Sequence, residues 1–201
     1  MLASAGIAIE FPVNLNLWMV LLRLLFTRAR NRLPNTSLIY TMTVIRLSTF
    51  INAPVERCFD LSRSIDLHIL STEGTDEKAI AGKLNGLINE GEHVTWEAVH
   101  FGIRQTLETR ITHMERPRYF RDEMVRGAFK SMHHEHYFED KDNGTLMTDV
   151  FCYETPFSFI GKLFDAIVLQ RHMKYFLVKR NTAIKTAAEG TTWHDILTTT
   201  L

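Results

Sequence analysis

The segment SMHHEHYFEDKDNGTLMTD, residues 131–149, sets His133, His134 and His136 beside a turn rich in acids. Imidazoles and carboxylates at this density support three kinds of chemistry. They can ligate zinc or iron. They can move protons, with a carboxylate fixing the histidine tautomer. Or they can satisfy one another's hydrogen bonds in a polar-lined interior. The choice depends on which side chains share a face.

Asn143-Gly144 is a strong hairpin signal of type I′, and a turn centred there pairs Asp142 with Thr145. Phe138 then faces Asp149, His136 faces Phe151 and His134 faces Tyr153. Alternation along the strands puts Met132, His134, His136, Phe138, Met147, Asp149, Phe151 and Tyr153 on one face. Being richer in aromatic and Met residues, this face is expected to point inward. His133, with Ser131 and Glu135, then points outward, so a Ser131–His133 nucleophile pair is disfavoured, and no nucleophile elbow surrounds the serine.

Turning the preceding pair of strands at Arg116-Pro117 sets His113 against Phe120, Ile111 against Asp122 and Thr109 against Met124, with Arg110 facing Glu123 outside. A short connection at 127–129 then sets Asp122 against His134 and Phe120 against His136. The expected inner surface has a polar row, Asp122, His134 and Tyr153, beside an aromatic row, Phe120, His136 and Phe151, with Asp149 diagonal to His136. In this reading Asp122 holds the tautomer of His134. Mutual hydrogen bonding in a wet lining is the leading interpretation, a ligand-orienting or acid/base role the next, and a metal the last. No cofactor and no metal are expected. Trp96 either lines the cavity or packs in the core.

The elements that must position these residues follow from periodicity. TVIRLSTFI alternates as a strand, and NAPVERCFDLS reads as a helix with Val55, Cys58, Phe59 and Ser62 on one face. A second short helix is expected from Ser64 to about Leu70. Six β segments follow, KAIAG, EHVTWEAVH, IRQTLETRITHM, YFRDEMVR, KSMHHEHYFED and TLMTDVFCYE, separated by turn residues. A long helical pattern runs from Pro156 to about Ala188, in which Arg171, Lys174, Lys179, Arg180 and Lys185 read as a solvated face. One strand, two helices, a run of consecutive strands and a long helix make an α+β domain, with that helix covering an antiparallel meander.

The 201 residues, 45% hydrophobic, suffice for one core. Lysine plus arginine and aspartate plus glutamate balance at 23 each, without the basic run that a nucleic-acid surface needs. Cys58 and Cys152 form neither a zinc pair nor a disulfide framework, which fits a cytoplasmic setting. Residues 1–41 read as an extension. In it, 11–32 combine an apolar run too short to span a bilayer with Arg23, Arg28, Arg30 and Arg32. The expected origins are a start called upstream of Met42, an amphipathic surface helix or a membrane anchor. Membrane contact is open through this segment or the C-terminal helix. Residues 189–201, rich in threonine, read as a flexible tail.

FINAPVERCFDL, GEHVTWEAVHFGIRQTLETRIT, RYFRDEMVRGAFKSMHHEHYFE and GTLMTDVFCYETP resemble the SRPBCC, or START/Bet v 1-like, superfamily. The nearest resemblance is to a bacterial ligand-binding subgroup described as cell-division-inhibitor-like. It covers about Met42 to Ala187 and implies a helix-grip fold in 42–188: a curved seven-stranded antiparallel sheet wrapped around a long C-terminal helix, with two short helices after the first strand. It also implies a cavity for an apolar small molecule such as a lipid, polyketide or quinone, and assigns no catalytic residue. The expected lining is Trp96, Leu107, Ile111, Phe120, Asp122, Met124, Met132, His134, His136, Met147, Asp149, Phe151, Tyr153 and Phe164. Two alternatives stand beside this. One is a cyclase, dehydratase or hydrolase using His134 with Asp122, and the other is a ligand-free interaction module for division or a membrane partner.

Overall fold

The computed structural model describes residues 42–72, 76–100, 103–156 and 165–198. The described residues all belong to one compact unit, Ile39–Leu201. The expectations for 1–41 and for Phe164 fall outside the described residues.

Strand β1 (Thr43–Ile51) leads into helices α1 (Val55–Ser62) and α2 (Ile65–Ser71). Strands β2 (Lys78–Gly82), β3 (His93–His100), β4 (Ile103–Glu115), β5 (Tyr119–Arg126), β6 (Ser131–Lys141) and β7 (Gly144–Glu154) follow. A π-helical turn, Asp165–Leu169, runs directly into α3 (Gln170–Glu189), and α4 (Trp193–Thr198) ends the described chain. The strands form one antiparallel sheet in the order β1-β7-β6-β5-β4-β3-β2. Hairpins link β2 through β7 in sequence, while α1 and α2 carry the chain from one sheet edge to the other.

Local chemistry sets these elements. Pro54 precedes the first turn of α1, and the predicted stripe turns Cys58, Phe59 and Ser62 inward. Ser64 caps α2, its hydroxyl accepting from the Leu67 amide at 3.2 Å, a contact that typically stabilises by about 1 kcal/mol. Phe59 then packs edge-on against Phe120 and Phe138, with ring centroids 5.5 and 5.3 Å away. Around this contact α1, α2 and the C-terminal half of α3 close the main core, which includes Trp96, Ile111, Met147 and Ile184. A second cluster, Ile45, Met132, Phe151, Tyr153 and Leu177, lies beneath the N-terminal half of α3.

Two features depart from expectation. The β6–β7 turn is centred on Asp142 and Asn143, both at positive φ (52° and 63°), so Lys141 pairs with Gly144. The turn slides one residue toward the N-terminus and the pairing shifts by two, which preserves the faces but changes the partners. Gly144 is required on the strand for another reason. A Cβ there would sit 2.6 Å from the Ile51 carbonyl oxygen, so glycine serves the approach of β1 rather than the turn. At the other end, residues 193–198 form α4, where the threonine-rich composition predicts no element. Trp193, Ile196 and Leu197 pack against the main core, and the Arg57 guanidinium lies 4.0 Å above the Trp193 ring.

Candidate functional site

In the observed register His134 pairs with Asp122 on one side and Phe151 on the other. His136 pairs with Phe120 and Asp149. Phe151 thus takes the expected place of Tyr153 beside His134, Asp149 takes that of Phe151 beside His136, and Tyr153 moves opposite Met132. Between β4 and β5, Ile111–Asp122, Arg110–Glu123 and Thr109–Met124 pair as anticipated. A bulge between Ile111 and His113 shifts the strand end, and Met114 rather than His113 faces Phe120.

The hydrogen bonds run diagonally across the sheet. His134 Nε2 lies 3.0 Å from Asp149 Oδ1, and His136 Nε2 lies 3.1 Å from Asp122 Oδ2. The expectation that Asp122 holds the His134 tautomer is therefore corrected: Asp149 holds it, and Asp122 holds His136. His136 Nδ1 comes within 2.9 Å of Asp149 Oδ1 but off the hydrogen-bonding direction, and this deeply buried nitrogen has no hydrogen-bond partner. The two imidazoles lie against each other, with centroids 3.8 Å apart, and Phe120 stacks on the His136 ring at 4.0 Å.

The long helix completes the cluster with two residues that the sequence reading put elsewhere or passed over. Arg180 is buried and not part of a solvated face. Its guanidinium lies 3.3 Å from Asp149 Oδ1 and donates to the Ser62 carbonyl at 2.9 Å. There it satisfies an acceptor left open where α1 ends. Asn181 donates to Asp149 Oδ2 at 2.6 Å. The inward stripe of α3 is Leu177, Arg180, Asn181, Ile184, Ala187 and Ala188. The apolar residues Ile167, Tyr175 and Val178 lie on the exposed side. The 3–4 spacing around Leu177 and Ile184 was the available signal, outweighed by the habit of placing arginine outside.

These contacts set the charges. Burial would raise the Asp149 carboxyl, but its contacts with His134 and His136 and the nearby Arg180 outweigh it and hold the group well below the usual carboxylate range. Asp122 is lowered too, the His136 hydrogen bond prevailing over burial. Burial, followed by the neighbouring His136, lowers His134 to about 4 despite the Asp149 contact. Its imidazole is therefore neutral near pH 7, with Nε2–H donating to Asp149. Tyr153 is raised, by burial and then by its hydrogen bond to Asp165. Tyr153 and Thr43 both donate to the buried Asp165, a carboxylate that no motif or spacing singles out.

The predicted lining divides in two. Trp96, Ile111, Phe120 and Met147 belong to the main core, the Trp96 ring tilted against His68 with centroids 4.3 Å apart and Met147 fully enclosed under Ser62. Met132, Phe151 and Tyr153 lie in the second cluster, against half-buried Leu107, Met124, Phe129 and Met173. Here the concave surface is not closed. Leu107, Met124 and Phe129 point inward yet keep partial exposure, and the Asp122 side chain is 17% exposed while that of Asp149 is 0%. Asp122 and the buried His134 therefore lie beside partly accessible apolar side chains. Nearer α2, by contrast, the crevice beside Ser62, Leu67, His68 and Arg180 is too narrow for a water molecule.

No protein-family model matches the sequence, and no curated protein matches it. Solved structures do. The protein TTHA0849 from Thermus thermophilus aligns with a TM-score of 0.56 at 18% identity, over 73% of this chain and 99% of that one. Major latex-like protein 151 from Panax ginseng gives 0.56 at 15% identity, over 74% and 99%. Ara h 8.0201 gives 0.50 at 12% identity, over 72% and 99%. With the sheet order and long helix described above, these likenesses establish the Bet v 1-like helix-grip fold. At such identities they carry the fold and not the activity.

Proposed function

We propose that the protein binds a small molecule with an apolar body and one polar end in the recess between the inner faces of β4–β7 and the N-terminal half of α3. One observation carries this reading: Leu107, Met124 and Phe129, directed into the interior, stay partly accessible beside an accessible, ionised Asp122. A folded chain normally covers such inward apolar groups, and an apolar pocket with a few polar anchors is the usual form of a small-molecule site. Leu107, Met124, Met132 and Phe151 supply the apolar contact, and Asp122 accepts a hydrogen bond from a ligand hydroxyl or amide. A lipid, polyketide or quinone-like ligand fits that division, and we extend the reading to the bacterial cell-division-inhibitor-like subgroup and to a cytoplasmic setting. The two free, buried thiols support a reducing compartment. Among the described residues no helix is long and apolar enough to cross a membrane. A hydrolase or cyclase role is less well supported, because His134 held near 4 is a weak base at neutral pH.

The test is a titration with the fluorescent apolar anion 8-anilinonaphthalene-1-sulfonate, followed by displacement with fatty acids, sterols and quinones. Saturable binding, lost in Met124→Trp and unchanged in a surface variant such as Val125→Thr, is the expected result. Binding insensitive to Met124→Trp, or none at all, would favour the ligand-free interaction module.

A further inference from the structure

The Asp122, His134, His136 and Asp149 cluster holds more ligating power than mutual hydrogen bonding consumes. One ligand atom from each of Asp122, His134 and His136 lies within 4.8 Å of the others. Donors about 2.1 Å from a common ion sit about 3.0–3.4 Å apart, so modest inward rotation of these side chains would bring them to coordination distance. His136 Nδ1 is buried and without a hydrogen-bond partner, although a carboxylate oxygen lies 2.9 Å away.

The surroundings resemble the outer support of metal sites. A ligating histidine usually donates its other N–H to a carboxylate, which fixes its tautomer and orientation. His134 Nε2–H points at Asp149, and Asp149 is fixed in turn by Asn181 at 2.6 Å and by Arg180 at 3.3 Å. The fully buried Asp149 faces the helix, while the partly exposed Asp122 faces the recess, leaving an approach on the open side.

We propose that Asp122, His134 and His136 form a binding site for a divalent transition ion, with Asp149 as the positioning residue and the remaining coordination positions facing the recess. Two imidazoles and one carboxylate with open positions suit zinc or ferrous iron. Such an ion would bind a carboxylate, enolate or phenolate oxygen of a molecule in the recess. This reverses the expectation from sequence that no metal is held. It uses the same interior as the ligand reading without depending on it, since the ion binds whether or not an organic ligand does.

The experiment is calorimetric titration of the metal-stripped full chain with zinc, and anaerobically with ferrous iron, together with the visible absorption of the cobalt(II) form. One equivalent is expected to bind, with affinity falling at least 100-fold in His136→Gln and in Asp122→Asn, the latter isosteric and the safer variant for folding. Asp149→Asn is expected to weaken binding about 10- to 100-fold and to change the cobalt spectrum. His133→Gln, on the outer face, should change neither. Absence of stoichiometric binding, or equal binding by wild type, Asp122→Asn and His136→Gln, would overturn the site and leave the anilinonaphthalene titration unaffected as a separate test.

Discussion

Asp149 has no solvent exposure, and His134, His136, Arg180 and Asn181 all converge on it. Burying a carboxylate is tolerated only with such compensation, and removing one member of a buried ion pair commonly costs about 3–5 kcal/mol. His134 yields a pH dependence whose sign can be worked out. Its ordinary value of 6.5 falls to about 4 in the folded protein. Between those values the unfolded chain takes up a proton that the native state refuses, so stability falls as pH drops from 6.5 to about 4. The shift corresponds to about 3 kcal/mol. Asp122 and Asp149, with folded values below the ordinary one, add a separate loss below about pH 4. Urea unfolding of metal-free protein at stepped pH should show the first loss in wild type and not in His134→Gln. An unchanged slope in the variant would refute the assignment. The parity of the β6–β7 strands made the inward placement of His134, His136 and Asp149 legible, because alternation survives a two-residue register error. The partners were not legible, since they depend on where the turn sits, and Arg180 was missed because its anionic partner lies 31 residues earlier.

At the scale of elements, the β6–β7 hairpin sets the register that places Asp149 opposite His136. Its turn holds Asp142 and Asn143 in the left-handed region, where a β-branched residue is strained by about 1–2 kcal/mol and glycine is free. Asn143→Val should therefore lower the thermal midpoint by several degrees and Asn143→Gly should hold or raise it, as calorimetry would read. Equal midpoints would mean that the turn does not constrain the register. Helix α3 teaches a related lesson. Its end near Ala188 was plain from periodicity, while the expected start at Pro156 adjoins residues outside the described ones, and the exposed Tyr175 and Val178 lie off the inward stripe. That stripe mixes Leu177, Ile184 and Ala188 with Arg180 and Asn181, because the helix must serve both a core and a charged cluster. Helix α4 was hidden by threonines that flank Trp193, Ile196 and Leu197.

Over the whole molecule, the order strand, two helices, six strands and a long helix was readable, since hairpin turns fix neighbours and leave few topologies. What the order alone could not show is how unevenly the helices close the sheet. Under α1, α2 and the C-terminal half of α3 the interior is packed, and Trp96, Ile111, Phe120 and Met147 lie within it. Under the N-terminal half of α3, Leu107, Met124 and Phe129 keep the concave face accessible beside Asp122. Packing at one end anchors the charged cluster that, in the proposed function, the other end presents to a bound molecule. The most direct test of this division is native mass spectrometry of protein purified from its own source, wild type beside Met124→Trp. Additional mass of lipid or quinone size on wild type, absent from the variant and recovered by solvent extraction, is the predicted result. Identical ligand-free masses for both proteins, with no thermal stabilisation by any member of the fatty acid, sterol and quinone panel, would contradict it.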